Sequence, residues 1–141
     1  MTPSRLLTAF AALLLSMTAA LPASFEGKWA GEIACPKLSL APASVNVPFE
    51  LTVSGALATY SREVAHPDTS DFVGIEEGTG IVSQDGNITL KVVGKSAGHR
   101  LGYTASYSGK LSGDSGALSG SQKWTSDDGT EDRDCTVTLK R

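Results

Sequence analysis

The sequence predicts an all-β fold: an eight-stranded antiparallel up-and-down barrel closed by a disulfide between its first and last strands. Three observations predict it. From Phe25 onward apolar and polar residues alternate, and no long stretch carries apolar residues at helical spacing. Glycine, asparagine and aspartate breaks recur about every eight to twelve residues, the rhythm of sandwiches and barrels. The chain has two cysteines, and they fall at the end of the first expected strand and near the start of the last.

Strand one runs about Phe25–Cys35, with Phe25, Gly27, Trp29, Gly31, Ile33 and Cys35 on one face and Glu26, Lys28 and Glu32 on the other. Strand two, Val47–Val53, alternates Val47, Phe49, Leu51 and Val53 against Pro48, Glu50 and Thr52. Strand three, Ala56–Val64, puts Tyr60, Arg62 and Val64 together. Strand four, near Ile75–Ser83, is interrupted by Gly78 and Gly80. An Asp85-Gly86 hairpin turn opens strand five, with Ile88, Leu90 and Val92 inward. Strand six, Leu101–Leu111, aligns Leu101, Tyr103, Ala105, Tyr107 and Leu111. A Ser-Gly-Asp-Ser-Gly turn leads to strand seven, with Leu118, Gly120, Gln122 and Trp124 on one face. Asp128-Gly129 turns into strand eight, where Arg133, Cys135, Val137, Leu139 and Arg141 share a face.

Eight consecutive strands with mostly short connections can close on themselves and remove their edges. In such a barrel strands one and eight are antiparallel neighbours, which brings Cys35 beside Cys135. A two-sheet sandwich is the alternative that also brings them together. A membrane barrel would turn apolar residues outward, whereas here the face opposite each apolar stripe carries Glu, Lys, Thr and Ser.

Ahead of the barrel, Arg5 followed by the apolar run Leu6–Leu15 and small residues at Thr18, Ala19, Ala20 and Ala23 has the order of a secretory signal peptide. Cleavage is expected after Ala20 or Ala23, leaving a single domain over 24–141, secreted or periplasmic, with no membrane span. Two cysteines in an exported chain read as one disulfide. Removing Arg5 from the twelve Lys and Arg leaves eleven against fifteen acidic residues, a net charge of −4. A mildly acidic protein without a basic cluster is a poor partner for nucleic acid or anionic membranes.

Motif by motif, chemistry is weakly represented. Gly113-Asp114-Ser115-Gly116 copies a protease serine neighbourhood but sits where a hairpin turn belongs. Gly94-Lys95-Ser96 ends like a phosphate loop, yet Thr89 stands where the first glycine is required. The acidic stretch Asp127–Asp132 lacks the ligand spacing of a calcium loop. Adjacent Glu76 and Glu77 point to opposite faces of a strand and make no carboxylate pair, and His66 and His99 match no zinc spacing. Asn87-Ile88-Thr89 is a glycosylation sequon, relevant in a eukaryotic host. No catalytic residue, metal site or cofactor is expected.

What remains is the inward set. Tyr60, Arg62, Tyr103, Tyr107, Gln122, Trp124 and Arg133 point the way the core residues do. Eight strands enclose an interior that side chains fill or that holds one small ligand, and aromatic rings with a few convergent polar groups are what ligand sites show. The inward glycines Gly27, Gly31, Gly109 and Gly120 are expected to leave volume. The competing reading is that Tyr and Trp plug the barrel while the arginines reach water.

Gly27-Lys28-Trp29 resembles the Gly-x-Trp of the calycins, the lipocalin and avidin group of ligand-binding barrels. The resemblance implies an arginine on the last strand over that tryptophan, and pairing Cys35 with Cys135 sets Trp29 opposite Arg141. The chain departs from lipocalins in its length and from avidins in Ala30, Gly31 and Glu32, so biotin is not carried over. It is also similar to small secreted bacterial metalloprotease inhibitors and to short proteobacterial exported proteins. The expectation is a non-enzymatic binding protein holding a small apolar or aromatic ligand in the barrel mouth, through Tyr60, Arg62, Tyr103, Tyr107, Gln122 and Trp124. The alternative is a protein-interaction module, such as an inhibitor of a secreted hydrolase, acting through its loops or Leu21–Phe25.

Overall fold

A computed structural model describes residues 24–39, 46–65, 72–96 and 102–141. The expected signal peptide, His66, His99 and Leu101 lie outside the described residues. Eight strands follow one another in a closed antiparallel barrel, each paired with its sequence neighbours and β1 with β8. They are β1 (Gly27–Ala34), β2 (Asn46–Ser54), β3 (Leu57–Ala65), β4 (Phe72–Val82), β5 (Asn87–Ser96), β6 (Gly102–Ser112), β7 (Ser115–Ser126) and β8 (Gly129–Lys140). The barrel, not the sandwich, is the architecture. Cys35 and Cys135 are bonded, with Cα atoms 4.4 Å apart, and the β1–β8 register runs from Ala34↔Thr136 to Ala30↔Lys140.

Inward alternation supplies the core. Trp29, Phe49, Leu51, Ile88, Leu90, Tyr107, Leu111 and Leu139 are almost wholly excluded from solvent, while the intervening residues face out. Among the described residues four outward positions are large and apolar: Leu57, Ile75, Ile81 and Val93, all on β3 to β5. No helix among the described residues is long and apolar enough to cross a membrane. The disulfide is the kind of bond that persists outside the reducing cytosol.

β4 is longer than the sequence suggested. Gly78 and Gly80 do not interrupt it; they let the neighbouring chain come close. A Cβ on Gly80 would lie 2.0 Å from Thr89 O, and one on Gly78 would lie 2.9 Å from Val92 Cγ2. The same cause corrects the expected interior volume. A Cβ on Gly31 would meet Thr138 O at 1.7 Å, on Gly109 Ala117 O at 2.0 Å, and on Gly120 Ser106 O at 1.9 Å. At these three sites the missing side chain is replaced by the backbone of the adjacent strand. They serve the tight curvature of a small barrel rather than a cavity.

The two ends differ. At one end β2–β3, β4–β5 and β6–β7 are joined by tight turns around Gly55, Gly86 and Gly113, each at positive φ. Here the residues just before β1 and just after β8 seal the barrel. Phe25 is buried, and the indole Nε1 of Trp29 donates to Phe25 O at 2.9 Å. The guanidinium of Arg141 lies 5.2 Å from the Trp29 ring centroid. It donates to Ser24 O at 2.9 Å and pairs with Asp114 at 3.3 Å. The longer connections, 35–45, 66–71 and 97–101, join strand ends at the opposite rim, beside the disulfide.

Candidate functional site

The inward residues nearest that rim form two linked groups. The first straddles β3 and β4. Arg62 and Glu76 are direct cross-strand partners, and Tyr60 faces Gly78. The Tyr60 hydroxyl and Arg62 Nε both donate to Glu76 Oε2, while Arg62 Nη1 donates to Pro48 O at 3.3 Å. Glu76 is one of two buried polar residues among those described. The bare Cα of Gly78 admits the Tyr60 ring, whose Cδ1 would lie 3.3 Å from an added Cβ. Phe49 stacks on the far side, centroids 4.2 Å apart.

Charge and burial act together here. Burial would lower the affinity of the Arg62 guanidinium for its proton, but the hydrogen bond to Glu76 and its charge outweigh this and hold the pKa above its ordinary value. Tyr60 is driven far above the usual phenol range, first by burial and then by the charge of Glu76.

The second group spans β6, β7 and β8, and it centres on Gln122. Its Oε1 accepts from Trp124 Nε1 at 2.9 Å and from Arg133 Nε at 2.7 Å. Two donors on one oxygen fix the amide orientation, so Nε2 donates to the Tyr107 hydroxyl at 2.8 Å. Arg133 also donates through Nη1 to Pro36 O at 3.0 Å and lies 5.2 Å from the Trp124 ring centroid. Trp124 is half-buried and stacks on its cross-strand partner Tyr103 at 4.5 Å. Tyr103 in turn lies over Gly94, where a Cβ would fall 2.2 Å from the ring.

Burial pushes the Tyr107 pKa up to about 12. Burial also lowers the Arg133 pKa, with Tyr107 and Glu76 opposing it. Arg62, Arg133 and Glu76 all act electrostatically on the Tyr107 hydroxyl, so the two groups surround one interior region.

The structure thus brings Tyr60, Arg62, Tyr103, Tyr107, Gln122, Trp124 and Arg133 to one end of the barrel. Sequence reasoning missed Glu76, set aside as half of an adjacent pair. The available signal was strand parity: Glu76 shares the inward stripe of Gly74, Gly78 and Val82. Of the other motifs, the acidic stretch 127–132 forms the β7–β8 turn at this same end and Gly94–Ser96 closes β5 there, while the Gly113–Gly116 motif lies at the opposite end. Ser115 follows the Gly113 turn, exposed, and its hydroxyl donates to Ser112 O at 3.2 Å. Among the described residues no group of three His, Cys, Asp or Glu could hold a metal ion. Compared with known proteins, the chain matches no family model, no curated protein and no solved structure.

Proposed function

We propose that the chain is an exported, non-enzymatic binding protein that holds a small apolar or aromatic molecule at the rim beside the disulfide. Export rests on the leader-like residues 1–23 together with the Cys35–Cys135 bond. Binding rests on one observation, the asymmetry of the ends. The tight-turn end is sealed by Phe25, Trp29 and Arg141, whereas the other presents a half-buried tryptophan stacked on a tyrosine above a hydrogen-bonded polar layer. An indole held by a hydrogen bond from below and a ring alongside keeps its orientation, which makes it a rigid platform for a flat apolar partner. Because the interior glycines are filled by neighbouring backbone, the ligand lies on the Tyr107–Gln122 layer rather than deep in the barrel.

Native mass spectrometry of the protein purified from its host tests this. The expected result is a small added mass that dissociates in Trp124→Ala. A tightly co-purifying protein with no small adduct would instead establish the interaction-module alternative.

A further inference from the structure

The outer wall of the barrel is not uniform. Among the described residues its exposed large apolar side chains, Leu57, Ile75, Ile81 and Val93, all fall on the adjacent strands β3, β4 and β5. The outward positions of β6 and β7 are instead serine, threonine, lysine and alanine. Register sets the apolar side in four rows. Leu57, Ile81 and Thr89 share the first, Thr59, Thr79 and Lys91 the second, Ser61, Glu77 and Val93 the third, and Glu63 and Ile75 the last. Apolar residues thus gather toward both ends of β4, Ile81 with Leu57 at one and Ile75 with Val93 at the other. Ile75 and Ile81 are about 20 Å apart at the rise of a strand. Between them lie the exposed Glu77 and Lys91, and neither forms an ion pair among the described residues.

A face that is apolar toward two ends and charged in the middle is complementary to itself reversed. We propose that a second copy of the chain docks here, antiparallel, about a two-fold axis that runs across the strands through the middle of β4. Aligned sheets pack with their strands within about 30°, and this axis sets Ile75 over Ile81 of the second copy and Glu77 over Thr79. Val93 meets the aliphatic stem of Lys91, whose ammonium then lies beside Glu77 of the other copy, once on each side of the axis. The other two-fold, along the strands, sets Glu77 over Glu77 and Leu57 over Thr89, and loses both the charge pairing and the apolar contact. Closure leaves no strand edge to pair with a neighbour, so the wall is the surface through which sheets associate. Three strands and four rows with their side chains cover roughly 500–600 Å² per copy, a total near the lower limit of specific interfaces. Such an area makes a reversible dimer. The reversal points the two disulfide-bearing rims in opposite directions, so dimerisation is independent of what the rim holds.

Sedimentation equilibrium on the oxidised protein purified from its host tests this. The expected result is a monomer–dimer equilibrium with Kd on the order of 1–100 μM. Ile81→Lys is expected to weaken the dimer roughly ten-fold or more, the scale of one buried aliphatic side chain lost. Glu77→Lys and Lys91→Glu are each expected to weaken it several-fold by setting like charges side by side. The double variant Glu77→Lys, Lys91→Glu is expected to recover to within about two-fold of wild type. All three positions are exposed, and near-ultraviolet ellipticity establishes that each variant is folded. A monomer at about 500 μM overturns the proposal and leaves the apolar face to a different partner. A dimer that a folded Ile81→Lys leaves unchanged lies on another face and overturns it equally. Single charge variants as tight as wild type, or a double variant that does not recover, overturn the two-fold across β4 and the proposal with it.

Discussion

Gln122 shows how much one side chain can organise. Its amide ties three strands together through Tyr107, Trp124 and Arg133, and among the described residues no buried side-chain nitrogen or oxygen lacks a partner. The alternation of β7 marked Gln122 as inward from the sequence, because a polar residue in an apolar stripe stands out. Glu76 was not legible in that way. Its strand reads as broken by Gly78 and Gly80, which hid the parity that turns Glu76 inward, and its place opposite Arg62 depends on the β3–β4 register, which a single segment does not carry. Burial of the phenols has a consequence at high pH. Tyr60 and Tyr107 have folded-state pKa values above the ordinary phenol value near 10. Their folded forms therefore keep protons that the unfolded chain releases, so unfolding free energy falls as pH rises from about 10 toward 12. Phenolate absorbance from these two residues is expected to rise with unfolding. Its appearance near pH 10 in a protein whose near-ultraviolet ellipticity is native would contradict their burial.

Among the elements, the junction of β2 with β3 is the weakest. It registers only Thr52↔Thr59, Val53↔Ala58 and Ser54↔Leu57, although both strands continue toward the rim. There the ladder gives way to side chains, with Arg62 reaching Pro48 O and Phe49 stacked on Tyr60. Proline at 48 has no N–H to offer. Since Pro48 and Thr52 carbonyls face β3, the amides of Glu50, Ser61 and Glu63 face this seam by alternation. They are expected to exchange hydrogen orders of magnitude faster than inward-ladder amides of β6 and β7, whose junction registers from Gly102↔Thr125 to Ser112↔Ser115. Protection at Glu50, Ser61 and Glu63 equal to that of the β6–β7 amides would show the seam to be closed. The sequence predicted both strands and their faces but not this divergence, because strand pairing is decided across the barrel, not within a segment. The outward Leu57 and Ile81, cross-strand partners by register, likewise carry no signal until the pairing is known.

At the scale of the whole molecule, the cysteines were the most informative residues. Their positions at the end of the first expected strand and near the start of the last were consistent with closure, though a sandwich also accommodated them, and pairing them set Arg141 opposite Trp29. The roles of the rim residues were less accessible, since side chains from β3, β4, β6, β7 and β8 meet there and no two of those strands' contributions are adjacent in sequence. Cys35 and Cys135 are 100 positions apart, a loop whose closure is worth about 4–5 kcal/mol in the chain-entropy model. The double variant Cys35→Ser, Cys135→Ser is expected to lose stability on that order in chemical denaturation. A loss below about 1 kcal/mol would show that the β1–β8 hydrogen bonds alone hold the ring shut.

The bond also decides how the molecule answers force. Tension applied at the two chain ends enters through the segment before Cys35, crosses directly to Cys135 and leaves through the last residues. Everything from β2 through β7 lies off the load path. Roughly 330–360 Å of contour is thereby withheld from extension, and the rim side chains of β3, β4, β6 and β7 are anchored on strands that carry no tension while the sulfurs stay joined.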